Sequence, residues 1–155
     1  MPAIPRPSVP AGATQWSVKI TPMSAAASPT CHETILIVDD DVSVIETFRR
    51  MLQIEGYTVR TACNAESGLL DAAEHPPDAI ILDMRMPLVD GLGFLRRLRS
   101  HEGQRTTPVA IVTGDYFLDE SVSSELRELG AELTFKPMFL DDLVALARDL
   151  LKVTR

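Results

Sequence analysis

Five short apolar runs, each followed by a segment with helical periodicity, constrain the fold of this chain more than any other feature. Continuous apolar runs bounded by polar or turn-forming residues are typical of strands buried on both faces of a parallel sheet. Because strands and helices alternate, the connections should be right-handed crossovers with helices on both faces. The sequence therefore predicts an α/β fold with a five-stranded, doubly wound parallel sheet. The predicted strands are 34–38, 57–62, 79–82, 109–112 and 132–135.

The segments between these runs have the spacing of amphipathic helices. Val44, Phe48 and Leu52 lie on one face of the first predicted helix, and Gly56 marks its end. Apolar residues recur through 140–151 at the spacing of one buried helical face. Each strand is thus followed by a helix that can cover the sheet.

The first 32 residues differ in composition from the remainder. They hold six of the eleven prolines and no acidic residue, and Arg6 and Lys19 are their only Lys or Arg cations. Such a segment cannot offset its ordering entropy, so we expect a disordered tail at 1–32 and a folded domain at 33–155. The tail lacks the apolar core of a secretory signal. Translation from Met23 is an alternative hypothesis, which the intact mass of the native protein tests.

The charge and cysteine content argue against several classes of partner. The net charge is −7, which disfavours nucleic acid or an anionic membrane as a binding surface. No apolar stretch is long enough to cross a bilayer. Cys31 and Cys63 match no zinc or redox spacing, so two reduced thiols in a cytoplasmic protein are expected.

Polar side chains follow four of the five predicted strands. The carboxyl ends of parallel strands meet at one edge of an open sheet, where ligands bind. Three carboxylates gathered there would repel one another unless a cation lay among them. Oxygen ligands of this kind suit Mg²⁺, or Mn²⁺ in its place. The residues are Asp39 and Asp40 after the first strand, Asp83 after the third, Thr113 after the fourth and Lys136 after the fifth.

These residue types together suggest phosphoryl chemistry. Beside a divalent metal, an aspartate can act as a nucleophile toward a phosphoryl group. The metal and Lys136 would offset charge on the transferring oxygens, and Thr113 could donate a hydrogen bond to one of them.

Four sequence blocks resemble the signature blocks of response-regulator receiver domains. They occur in the family's order and at its intervals, and the resemblance covers roughly residues 33–153. It implies a flavodoxin-like (βα)5 sandwich with strand order 2-1-3-4-5. The blocks are ILIVDDD at 35–41, LDMRMPLVDG at 82–91, IVTG at 111–114 and FKP at 135–137.

The resemblance also implies residue roles at the acidic site. Asp83 resembles the phosphoacceptor. Asp40 resembles the direct metal ligand, and Asp39 resembles the partner that acts partly through water. The backbone carbonyl of Arg85 resembles the third protein ligand, so the implied metal site consists of these four residues.

The switch residues match the family only in part. Lys136 resembles the lysine that pairs with the phosphate, and Thr113 resembles the switch hydroxyl. The Lys136–Pro137 peptide bond is expected to be cis. Leu133 stands where the family usually has Tyr or Phe, and Phe135 is expected on the same face of the strand.

Three further aspartates near the strand ends are expected to have structural roles. Asp41 is expected to cap the first helix, and Asp90 is expected to belong to a turn beside Gly91. Asp115 is expected to be a solvated loop acid.

The resemblance implies a phospho-accepting signalling domain rather than an enzyme with an external substrate, and a stand-alone response regulator is expected because the sequence shows no output domain. It would accept a phosphoryl group on Asp83 from a histidine kinase or phosphotransfer domain, with self-phosphorylation and self-dephosphorylation as its only chemistry. Its output would be protein contacts through the fourth helix, fifth strand and fifth helix, or onward phosphorelay. Nucleic acid and membrane are not expected partners.

Two other functions remain open from the sequence alone. The first is a metal-dependent phosphohydrolase that forms an aspartyl phosphate, but such enzymes usually carry an acid two residues after the nucleophile, where this chain has Arg85. The second is a docking scaffold that works without phosphate, for which Leu133 is the supporting feature.

Overall fold

The computed structural model describes residues 32–152. The predicted disordered tail at 1–32 lies outside the described residues except for His32, as do residues 153–155 of the predicted folded domain. The described elements are β1 (Thr34–Val38), α1 (Val42–Ile54), β2 (Thr58–Ala62), α2 (Ala65–Glu74), β3 (Ala79–Asp83), α3 (Gly91–Ser100), a 3-10 helix (Glu102–Gln104), β4 (Val109–Thr113), α4 (Glu120–Glu128), β5 (Ala131–Phe135) and α5 (Leu140–Lys152).

The five strands form one parallel sheet in the order β2-β1-β3-β4-β5. In the centre of the sheet, Val38 is in register with Leu82, and Asp83 is in register with Val112. The carboxyl ends of β1, β3 and β4 therefore lie side by side. The predicted fold class and strand order are confirmed.

Two apolar layers hold the helices against the sheet. Ile35 and Ile37 pack with buried residues of α1 and α5 on one face. Leu36 and Val38, which alternate with them, pack with residues of α2, α3 and α4 on the other face. Burial of each such side chain contributes about 1.5–3 kcal/mol, so β1 is held firmly from both sides.

Side-chain caps fix the starts of the helices that follow β1 and β3. Asp41 Oδ1 accepts a hydrogen bond from Ser43 N at 2.9 Å, which confirms Asp41 as the cap of α1. Asp90 does more than its predicted turn role, because its Oδ1 accepts a hydrogen bond from Gly93 N at 2.8 Å and caps α3.

Within residues 32–152, no helix combines the length and the apolar character needed to cross a membrane.

Candidate functional site

The backbone places three charged residues at the carboxyl edge of the sheet. Asp83 is the last residue of β3, Asp39 directly follows β1, and Lys136 directly follows β5. Asp39 N donates to the carbonyl of Ala62 at 3.2 Å, and Lys136 N donates to the carbonyl of Thr113 at 2.8 Å. The backbone hydrogen bonds of the sheet thus extend one residue past β1 and one past β5, and they fix the positions of Asp39 and Lys136.

Asp39, Asp40 and Asp83 form an acidic cluster. One carboxylate oxygen from each residue lies within 4.8 Å of those from the other two. Burial raises the pKa of Asp39 above its ordinary value. Burial also raises the pKa of Asp83, and the charge of Asp39 raises it further. Because the ionised forms are disfavoured, this donor set fits a hard divalent cation, which would relieve both the repulsion and the burial cost.

Lys136 brings one positive charge to this cluster. Its Nζ lies 3.2 Å from Asp83 Oδ1 and 3.5 Å from Asp39 Oδ2. Partial burial tends to lower the pKa of Lys136, but the charges of Asp39 and Asp83 outweigh it and raise the pKa. The side chain therefore remains an ammonium group beside the two buried carboxylates. The Lys136–Pro137 peptide bond is cis, as the resemblance implied.

Thr113 ends β4, the strand next to β3, and its side chain is fully buried. Its Oγ1 accepts a hydrogen bond from Asp115 N at 3.0 Å. The hydroxyl is therefore coupled to the loop between β4 and α4, and it retains its own hydrogen for donation.

A cavity of about 480 Å³ opens beside the acidic cluster. Arg85 and Asp115 form an ion pair there. The N–H of Phe117 and the Arg85 guanidinium lower the pKa of Asp115. The prediction of a solvated loop acid was wrong for Asp115, because it is half-buried and paired. The cavity is lined by Asp40, Met84, Arg85, Met86, Pro87, Asp90, Asp115 and Leu118.

Sequence reasoning also missed an aromatic pair beside Lys136. The rings of Tyr116 and Phe135 stack with centroids 5.2 Å apart and an interplanar angle of 11°. The Tyr116 hydroxyl donates to the backbone carbonyl of Lys136. Leu133, at the position usually aromatic, is half-buried and packs against the apolar layer beneath α4. The loop after β4 thus supplies an aromatic ring that bonds the backbone of Lys136.

Comparison with known proteins identifies the family of this domain. The family model described as "Response regulator receiver domain" matches residues 35–148. The chain belongs to this family. The match covers β1 from its second residue, the other four strands, and α5 as far as residue 148.

Curated relatives of this receiver domain are response regulators. "Transcriptional regulatory protein PrrA" of Mycobacterium tuberculosis is 35% identical over 119 residues, which cover 76% of this chain and 49% of the relative. "Response regulator MprA" of Mycobacterium ulcerans is 39% identical over 124 residues, which cover 78% of this chain and 51% of the relative. The chain spans about half the length of these relatives.

Solved structures agree with the fold of this receiver domain. The chemotaxis protein CheY4 of Vibrio cholerae superposes with a TM-score of 0.70 at 28% identity, covering 76% of this chain and 98% of CheY4. A putative response regulator from Chloroflexus aurantiacus has a TM-score of 0.70 at 34% identity, covering 77% of this chain and 98% of that protein. The (βα)5 sandwich predicted from sequence is the fold these proteins share.

Proposed function

We propose that Asp83 of this receiver domain accepts a phosphoryl group from a histidine kinase or a phosphotransfer domain. The observation that carries the proposal is the placement of the Asp83 carboxylate. It ends a buried strand, lies 3.2 Å from the Lys136 ammonium and shares a cluster with two other carboxylates. The cavity beside the cluster gives a phosphoryl donor room to approach.

Each group then has a definite task. A carboxylate oxygen of Asp83 attacks phosphorus, the bond from phosphorus to the donor nitrogen breaks, and an acyl phosphate forms. Lys136 offsets negative charge on the transferring oxygens, and the Thr113 hydroxyl donates to one of them.

Asp39, Asp40, Asp83 and the backbone carbonyl of Arg85 would hold Mg²⁺ or Mn²⁺. Such an ion supplies a charge that stabilises the phosphoryl oxygens as charge develops on them. The raised pKa values of Asp39 and Asp83 support this assignment, because a bound cation would favour the ionised carboxylates.

The elements next to the site indicate which surface would signal phosphorylation to a partner. Thr113 and Lys136 adjoin the loops leading to α4 and α5, so a change at Asp83 acts first on the surface formed by α4, β5 and α5. A downstream protein binds there, or the phosphoryl group passes to a further phosphotransfer domain. The PrrA relatives are named transcriptional regulatory proteins, and the matched region makes up 49% of their length, whereas the proposed absence of nucleic-acid contact concerns this domain alone.

Intact-mass measurement after treatment with acetyl phosphate and Mg²⁺ tests the proposal. One phosphoryl group should be added per chain, and omission of the metal or the substitution Asp83→Asn should abolish the addition. Asp119→Asn is the matched control, because this aspartate is exposed and its side chain does not bond the N-terminus of α4. Persistent labelling of Asp83→Asn would contradict the assignment.

A turnover assay on the same protein distinguishes a receiver domain from a phosphohydrolase. With Mg²⁺ and a panel of phosphomonoesters, a receiver domain should show no steady multiple turnover. Arg85, two residues after Asp83, is paired with Asp115 and is no general acid. Sustained release of phosphate that depends on Asp83 would favour the hydrolase instead.

A further inference from the structure

A groove of about 420 Å³ lies between the edge strand β5 and helix α5. Phe135, Met138 and Leu146 contribute apolar side chains to its lining. β5 is the last strand in the sheet order, so its outer edge has no neighbouring strand among residues 32–152. The groove therefore offers a partner apolar surface together with the edge of a strand.

The charge of this groove has one sign. Glu132, Asp142 and Asp149 line it, and its lining contains no Lys, Arg or His. Lys152 Nζ lies 3.4 Å from Asp149 Oδ1, but both side chains are exposed, and such surface pairs contribute little. The groove consequently attracts a cationic partner and repels an anionic one.

Exposed aromatic side chains lie in the groove and in the loops before α4 and α5. Phe135 is 41% exposed in the groove, and Tyr116, which stacks on it, is 62% exposed. Phe117 and Phe139, in the loops before α4 and α5, are 93% and 70% exposed. Exposed rings in such numbers mark interaction surfaces, and their faces attract guanidinium and ammonium groups.

We propose that the β5–α5 groove binds a cationic amphipathic segment of the downstream protein. Apolar side chains of that segment contact Phe135, Met138 and Leu146, and its Arg or Lys residues face the three groove carboxylates. This inference rests on the proposed function, because it specifies the chemistry of the downstream protein that binds the receiver domain. Phe135 lines the groove and Lys136 contacts Asp83, so adjacent residues of one segment link the two sites.

The probe for this groove is a fluorescein-labelled peptide of 16 residues, with leucines at the spacing of one helical face and arginines elsewhere. A second peptide carries glutamate in place of every arginine. We expect the basic peptide to bind with an affinity that falls as salt rises, and the acidic peptide not to bind. The double substitution Glu132→Gln with Asp149→Asn should weaken binding by roughly tenfold.

The matched control is Glu74→Gln with Glu102→Gln, which removes the same charge from exposed positions outside the groove. Amide chemical-shift changes locate the peptide, and they should centre on 132–149. Equal weakening by both double variants, shifts centred on Asp39 and Asp83, or no binding at 1 mM peptide would each overturn the proposal. Labelling by acetyl phosphate without peptide tests the proposed function separately, so the two can fail independently.

Discussion

The ammonium group of Lys136 lies 3.2 Å from Asp83 Oδ1, although 53 residues separate the two along the chain. β4 lies between the strands that carry them, so the lysine side chain reaches across one strand to the carboxylate. The same Nζ lies 3.5 Å from Asp39 Oδ2. One cation thus serves two buried carboxylates, and under the proposed function it would stabilise charge on a phosphoryl group at Asp83.

Replacing Lys136 should slow phosphoryl transfer without weakening metal binding. In Lys136→Met, labelling by acetyl phosphate should slow by roughly 10²-fold, because one preorganised positive charge is lost. Affinity for Mg²⁺ should not fall, because the carboxylates lose a competing cation. Mass-resolved labelling rates and calorimetric titration measure the two effects. Lys152→Met, on the exposed end of α5, is the control, and an unchanged labelling rate in Lys136→Met would contradict the role of the lysine.

Gly91 should be required for the shape of the segment after Asp83. A Cβ at this position would lie 3.0 Å from the carbonyl oxygen of Asp83 and 3.0 Å from Met84 Cα, which are backbone atoms. We expect Gly91→Ala to lower the free energy of unfolding by about 1–3 kcal/mol and to slow labelling. Urea unfolding and labelling rates test this. Gly103→Ala, where a Cβ meets nothing within 4 Å, should leave both quantities nearly unchanged; equal behaviour of the two variants would refute the prediction.

The acidic cluster should give a characteristic pH dependence of stability in metal-free protein. The folded-state pKa of Asp83 is raised above its ordinary value of 3.8, so its ionised form destabilises the fold. This penalty is fully present above the raised pKa and disappears as the pH falls to 3.8 and below. Asp83→Asn should therefore be more stable than the parent at neutral pH, with an advantage that shrinks on acidification. Urea titrations across this range in chelator measure the difference, and a pH-independent difference would rule out ionisation of Asp83 as its cause.

The Arg85–Asp115 ion pair should control the approach of anionic phosphoryl donors. In Asp115→Asn the guanidinium loses its counter-charge and is free to attract acetyl phosphate, so labelling should accelerate several-fold at low salt. Arg85→Gln should slow it. Initial labelling rates at low and high salt measure both effects, which should diminish as salt screens the charges. The labelling rate should rise in one variant and fall in the other. A change in the same direction in both variants would exclude this electrostatic role.

The strand ends were predictable from sequence because a buried strand is a continuous run of apolar residues that stops at a polar residue. All five residues of β3 are buried, and the run 79–82 is continuously apolar until Asp83. Parallel pairing then brings such ends together without any further information. Small boundary errors have local causes: Tyr57 was predicted in β2, but its N–H donates to the carbonyl of Leu52 at the end of α1, and the strand begins at Thr58.

Contacts between loops were not predictable in the same way. Arg85 and Asp115 are 30 residues apart, and their pairing depends on the conformations of the loops after β3 and β4. Each lies two residues after the end of its strand, which was the available signal. The stacking of Tyr116 on Phe135 likewise depends on the loop before α4. Apolar periodicity carries no information about such loop geometry.

Reduction of the phosphorylated protein with sodium borohydride tests the central claim most directly, because it converts an aspartyl phosphate to homoserine at the modified position. After treatment with acetyl phosphate and Mg²⁺, peptide mass spectrometry should find homoserine at residue 83. It should be absent when the metal is omitted. Homoserine at Asp39, Asp40 or another carboxylate, with residue 83 unmodified, would contradict the assignment of Asp83 as the phosphoacceptor.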